Sequence, residues 1–412
     1  MLKLRWLRIE RFKNVLPGTK IEFSDGFNVL LGQNGTGKTT LLELISSVVR
    51  CDFSELQGED FAIEYQIAAG EVVIGVSLRN RRQEVSDLPG AQETWRPSMD
   101  ARIVGTDGSK TLLRVENGHL HVNEKSVDES RMGHLLSRGT IALYVAEHGL
   151  RAVLVPLMTN FETVRFDESL DVFHRMLAPL RAVSVMVFRS PLPLRILADI
   201  NRNTSIPRSF WPNLEPLFQK DPDASHFLFS DRDIEFLASA VRTMGFASGQ
   251  AHLDVLARRS RSETVEDVEI GNLTFRFQFE EGGVDMISHD RLSYGQKRLL
   301  TFFCYLDMCP DVVIADELVN GLHHAWIAAA VDAMGARQAF LTSQNPLLLD
   351  YLPIISPEQV LSSFIFCRAE RRDGRPRWVW ENMSKEDAAE LFAAYEVGIE
   401  HVSEILQSRG LW

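Results

Sequence analysis

Apolar residues alternate with polar ones at Leu2, Leu4, Trp6 and Ile9, resume at Ile21-Glu22-Phe23, and close up into the run Phe27-Asn28-Val29-Leu30-Leu31. A period of two predicts half-buried strands, and an unbroken apolar run predicts a strand covered on both faces. The period then becomes helical: Leu41, Leu42, Leu44, Ile45 and Val48 share one face of a segment from Lys38 to about Arg50. The predicted order is strand, glycine-rich loop, helix, with the helix packed under the sheet.

From about Phe61 to Val122 short alternating segments return, broken by Gly, Ser and Asp turns, and predict an antiparallel β-subdomain. Arg81 to Arg102 shows neither period and reads as a loop. Between about Leu170 and Arg259 the pattern predicts helices, with Ile234, Leu237, Ala238 and Val241 forming one stripe. That stretch reads as an inserted helical lobe. Alternation at Ile270, Leu273, Phe275, Phe277 and Phe279 predicts a strand pair, and Val312-Val313-Ile314-Ala315 a short buried strand. Ser384 to Gln407 carries Ala388, Leu391, Phe392, Tyr395, Ile399, Val402 and Ile405 at helical spacing, with Ser384 and Asp387 as a cap pair. The division that follows is 1–50 and 266–412 as the two parts of one head, 51–150 as its β-subdomain, and 151–265 as the helical insertion.

Composition narrows the function. The hydrophobic fraction is 45% and the charged fraction 24%, ordinary for a globular chain. A net charge of -12 argues against sequence-independent clamping of nucleic acid by the whole surface and leaves only local basic grooves open. Arg79 to Arg82 and Arg258-Arg259-Ser260-Arg261 are the short candidates, and solvated loops account for both. Cys51, Cys304, Cys309 and Cys367 lack metal-ligand spacing and read as reduced core thiols. The N-terminus has no apolar signal core, and no stretch reaches the roughly 20 apolar residues of a membrane span. A cytoplasmic protein with no membrane partner is expected.

The chemistry begins at Gly32-Gln33-Asn34-Gly35-Thr36-Gly37-Lys38-Thr39, followed by Thr40. This satisfies the phosphate-loop pattern after a buried strand and at a helix start, the context the pattern requires. Glycines 32, 35 and 37 let successive N–H groups, that of Asn34 among them, face phosphate oxygens, and the helix dipole adds positive potential. Lys38 is expected to reach the β- and γ-phosphates, and Thr39 to offer its hydroxyl to Mg²⁺. ATP with Mg²⁺ is the expected ligand. The strand ending in Asp316-Glu317 supplies carboxylates to the same site: Asp316 for the metal shell, Glu317 to orient the attacking water.

Leu292-Ser293-Tyr294-Gly295-Gln296 resembles the LSGGQ signature of ABC-type ATPases, with Tyr294 in place of the first glycine. The resemblance implies that Ser293, Gly295 and Gln296 meet the γ-phosphate of ATP held by a second protomer. A serine-capped helix without that role is the plain alternative. Asn320-Gly321-Leu322-His323-His324 resembles the D-loop region of soluble ABC ATPases of the SMC, RecF and OLD group, with His323 the matching histidine. Ala339 to Pro346 resembles their switch strand, with Gln344 where histidine is usual. A glutamine amide donates a hydrogen bond but carries no charge, so slow or partner-stimulated hydrolysis is expected. Ile9 to Asn14 resembles the opening turn of the group and makes Lys13 a phosphate-approaching candidate, with a solvated lysine as the alternative. Gln66 lies in the β-subdomain, but no spacing marks it as the family's Q-loop glutamine.

The resemblance covers roughly the first 50 residues and the last 120. It implies an α/β fold: a P-loop NTPase head of the ABC type with an antiparallel β-subdomain and an inserted helical lobe. Without heptads for a long coiled coil, the chain is most similar to OLD-like ATPases of bacterial anti-phage defence. About 65 residues follow Pro346, and they hold no TOPRIM-like acidic cluster. The implied protein is a homodimer that regulates a separate nuclease or toxin. The alternative is a RecF-like DNA repair ATPase.

Overall fold

In the computed structural model the described residues are 1–83, 94–105, 108–116, 119–122, 125–127, 136, 165–167, 183–188, 195–198, 207–221, 223–262, 265–280, 285–345, 347–354, 356–372, 374–396 and 404. The fold is mixed α/β with several sheets and divides into two compact units. The first comprises Met1–Arg165, Pro310–Leu318 and Ala336–Trp412, and the second Phe166–Cys309 and Val319–Gly335.

Among the described residues the first unit is built on two sheets. One is parallel through Val312–Ala315, Gln338–Thr342, Phe27–Leu31 and Phe364–Arg372, with Arg375–Asn382 added antiparallel at the edge. Its first two strands are buried at every residue, which is why Val312–Ala315 and the Ala339-Phe340-Leu341 centre of the second read as apolar runs rather than alternations. The helix Lys38–Arg50 follows the central strand and buries Leu41, Leu42, Leu44, Ile45 and Val48 in one core with Leu30, Val312, Ile314 and Phe340. The second sheet has eight antiparallel strands, in the order Thr19–Glu22, Leu2–Phe12, Phe61–Ala69, Val72–Gln83, Thr94–Gly105, Gly108–Glu116, His119–Val122, Lys125–Val127. A fully buried Gln338 fastens the two sheets: its amide nitrogen donates to Leu4 O at 2.8 Å and Ser24 O at 2.7 Å, and its oxygen accepts from Leu4 N at 2.8 Å. Every polar atom of that side chain is thereby satisfied.

The stretch read as a loop from Arg81 to Arg102 is a hairpin in its described parts, with Arg81 opposite Arg96 and Gln83 opposite Thr94. The pattern conceals it because the inward position after Val76 and Leu78 is Asn80, a polar residue. Asn80 is buried and its amide donates to the carbonyls of Gln57 and Glu59, each at 2.9 Å.

The second unit departs from the helical lobe read for this stretch. Its helices Trp211–Lys220 and Glu235–Met244 accompany a sheet ordered Arg195–Ala198, Val183–Phe188, Val265–Gln278, Ser248–Ser262, His226–Ser230. The predicted strand pair from Val268 to Phe279 is one long strand, paired with Ser248–Ser262. Residues 319–335 supply the helix His324–Met334, and Tyr294–Met308 forms a further, longer helix of this unit. In the first unit, Lys385–Glu396 is helical and the Ser384 hydroxyl accepts from Asp387 N at 3.1 Å, the predicted cap. Ile399, Val402 and Ile405 lie outside the described residues.

Candidate nucleotide site

The phosphate loop leaves the central strand at Gly32 and enters its helix at Lys38. Lys38 Nζ donates to the carbonyls of Gly32 at 2.6 Å and Gln33 at 3.1 Å, and Thr36 Oγ1 to that of Gln33 at 2.8 Å. Two tryptophans the sequence reading missed brace the loop. Trp378 Nε1 donates to Gly35 O and Trp380 Nε1 to Thr36 O, each at 3.0 Å, and the indoles stack 5.9 Å apart. Both stand on the edge strand Arg375–Asn382, and their side chains meet Gly37 so closely that a Cβ there would lie 2.8 Å from Trp378. Asn34 is exposed, and Thr40 is half-buried in the first helical turn.

Below the loop a chain of hydrogen bonds joins the two carboxylates. Thr39 Oγ1 donates to Asp316 Oδ2 at 2.9 Å. Thr342 Oγ1 donates to Asp316 Oδ1 and accepts from Glu317 N at 3.0 Å. Gln344 N donates to Glu317 Oε2 at 2.7 Å. Glu317 has a φ of 54°, a left-handed conformation that a non-glycine residue holds only when its surroundings fix it. Asp316 and Glu317 are buried, 9% and 7% exposed, so their charges act in a medium of lowered dielectric. Arg165, also missed, donates to Asp316 Oδ2 at 2.9 Å. The oxygen-only donor set of Thr39 and Asp316 suits a hard divalent cation such as Mg²⁺. Burial pushes the thiol of Cys367, whose carbonyl lies against Gly32, up to about 12, so this cysteine is neutral near pH 7.

Thr342 is the hub, which sets an expected outcome. Thr342→Val leaves the buried Glu317 N–H without this partner, at a cost of about 1–3 kcal/mol, and frees Glu317 to leave its left-handed conformation. A lower melting temperature and a slower turnover are expected together, with Thr342→Ser close to wild type on both. A valine variant that melts and turns over like wild type would refute the assignment.

Of the remaining candidates, Lys13 sits exposed at a φ of 44°, its ammonium 5.4 Å from the Phe12 ring centre. Its turn is tied to the loop's support, because Trp378 N donates to Asn14 O at 2.8 Å. Gln344 reaches Glu317 by its main chain, and its side chain is exposed. Ser293, Gly295 and Gln296 belong to the second unit. There Ser293 Oγ accepts from Gln296 N at 3.3 Å and Gln296 Oε1 from Ser293 N at 2.9 Å, a reciprocal cap on Tyr294–Met308. A Cβ on Gly295 would lie 2.5 Å from Gly321 O, and one on Gly321 2.4 Å from the Tyr294 ring. The signature segment and the Gly321 turn therefore pack backbone to backbone. His323 caps the helix after that turn, its Nδ1 accepting from Ala325 N at 3.4 Å.

Two family models match the chain. Residues 7–86 match one described as "AAA domain", and residues 186–350 one described as "AAA domain, putative AbiEii toxin, Type IV TA system". No curated protein matches. Among solved structures the chain is similar to an SMC head bound to the C-winged helix domain of ScpA, at 15% identity and a TM-score of 0.42, covering 93% of this chain and 99% of that one. The SMC head domain from Thermotoga maritima gives 11% and 0.38, with coverages of 93% and 99%. An Smc head with an extended coiled coil, bound to the C-terminal domain of ScpA derived from Pyrococcus furiosus, gives 13% and 0.37, with 96% and 100%. Both family matches are to AAA domains, and they agree with a phosphate loop set between strand and helix.

Proposed function

We propose that this chain binds and hydrolyses ATP, closes into a homodimer around two nucleotides, and so regulates a separate effector, a nuclease or toxin, in bacterial anti-phage defence. The observation that carries the ATPase is the continuous set of bonds from Thr39 through Asp316 and Thr342 to Glu317 and Gln344. It spans the distance between a metal-binding hydroxyl and a water-orienting carboxylate without a loose link. Lys38 turns from the loop carbonyls to the phosphates, and the main-chain N–H groups of residues 32–39 cradle them. Thr39 and Asp316 would hold Mg²⁺, which when bound would neutralise phosphate charge. Glu317 accepts from the attacking water and aligns it.

Each chain carries both halves of a composite site: the phosphate loop in one unit and Ser293 with Gly295 at a capped helix start in the other. The dimer reading places the second half on the partner's γ-phosphate. The matched family's description names a putative toxin of a type IV TA system, and the reading of a separate effector in defence rests on the OLD-like resemblance. The DNA-repair reading draws less support, since Arg258 is engaged with Ala224 O at 2.8 Å and with the Phe218 ring. Sedimentation equilibrium of Glu317→Gln with Mg²⁺ and ATP tests the dimer: a monomer–dimer shift on adding ATP is expected, and a strict monomer would overturn it.

Gln344 bears on rate. Its exposed amide can hydrogen-bond to a γ-phosphate but brings no charge. Gln344→His is expected to raise turnover by about tenfold, the scale of one added charge-assisted contact. An unchanged rate in a phosphate-release assay would sink the reading of a slow ATPase at this position.

A further inference from the structure

Asp316, given above to Mg²⁺, is already engaged by a cation of the chain itself. Arg165 Nη1 donates to Asp316 Oδ2, the oxygen that also accepts from Thr39, and stands 3.9 Å from Glu43 Oε1 on the phosphate-loop helix. The two side chains of the pair are 25% and 13% exposed, so solvent screens the interaction only in part. The guanidinium is not carried by a free strand of chain. The next residue, Phe166, is buried against Phe302 and Tyr305, with ring centres 5.2 and 5.5 Å away. Arg298 lies over the Phe166 ring at 5.0 Å and donates to Asp167 O at 3.0 Å. Phe302, Tyr305 and Arg298 all stand on Tyr294–Met308, the helix that Ser293 caps.

An oxygen that accepts from Arg165 and Thr39 has little room for a divalent cation, and such a cation so close to a guanidinium meets like-charge repulsion. We propose that Arg165 is a built-in counter-ion of Asp316, which Mg²⁺ displaces when it enters with ATP. The proposal rests on the nucleotide-site reading above. Arg165 is a positioning residue here: it sets how much Mg²⁺ the site needs.

The test measures binding rather than turnover. A fluorescent ATP analogue at fixed concentration is titrated with Mg²⁺ on the full chain, as wild type, Arg165→Gln, Arg165→Met and Arg165→Lys. The neutral variants are expected to half-saturate at a Mg²⁺ concentration lower by about tenfold, the scale of one charge-assisted hydrogen bond. The lysine variant, which keeps the cation, is expected within about twofold of wild type on the same reasoning. Two neutral replacements keep the test answerable if one does not fold. If the wild type binds the analogue and the neutral variants need as much Mg²⁺ or more, this proposal falls and the nucleotide site stands. If the wild type binds no analogue at any Mg²⁺ concentration, both fall.

Discussion

A Glu317→Gln protein is expected to bind ATP as the wild type does and to hydrolyse it about a hundredfold more slowly, or slower still. The replacement keeps the shape of the side chain and an oxygen that can accept from Gln344 N, the bond that fixes Glu317 at 2.7 Å. It removes the negative charge. In phosphoryl transfer the protein mostly positions reactants and balances charge, so a neutral amide at this position still holds its place but polarises water poorly. Burial sharpens the difference, because Glu317 is 7% exposed and bulk water does little to substitute for the lost charge. The main chain is unaffected, since Glu317 N still donates to Thr342 Oγ1. Phosphate release and analogue binding, measured on the same preparation, separate the two effects. Turnover within about threefold of wild type would remove Glu317 from the reaction.

What the sequence reveals of this site is what lies contiguous in it. The phosphate loop and Asp316-Glu317 could be read directly because each is a short run whose neighbours declare a strand or helix. Thr342 was in view as part of the switch strand, but its two bonds to Asp316 and Glu317 appear only when Gln338–Thr342 pairs beside Val312–Ala315. Arg165 comes from 151 residues before Asp316, and Trp378 and Trp380 reach the loop from more than 340 residues away. No periodicity in the chain carries that information. The misread lobe has a different cause. Of the stripe Ile234, Leu237, Ala238 and Val241, Leu237 and Val241 are buried in Glu235–Met244, Ile234 is the buried residue just before it, and Ala238 is half-buried, but the neighbouring strand Ser248–Ser262 hides its period. Register shifts between His252 and Asp254 and between Val255 and Ala257 break the alternation wherever a bulge inserts a residue.

Gly32→Ala is expected to cost the protein about 4 kcal/mol or more, at the high end for one substitution, and to abolish ATP binding. Gly32 has a φ of 143°, and a Cβ there would lie 2.0 Å from the carbonyl oxygen of Cys367. That oxygen is backbone, in the strand Phe364–Arg372, whose pairing runs from Phe364 opposite Val29 to Phe366 opposite Leu31. Relieving the clash therefore means parting the central strand from its neighbour just where the phosphate loop begins. Gly35 is the control. It too has a positive φ, 83°, but nothing lies within 4 Å of its Cβ position, so Gly35→Ala bears only the conformational cost of about 1–2 kcal/mol. Comparing the two separates backbone conformation from collision. Thermal unfolding followed by circular dichroism is expected to place Gly32→Ala well below Gly35→Ala, and Gly35→Ala modestly below wild type. Equal melting temperatures for the two variants would mean that the strand carrying Cys367 yields, and that the phosphate loop does not depend on this close approach for its shape.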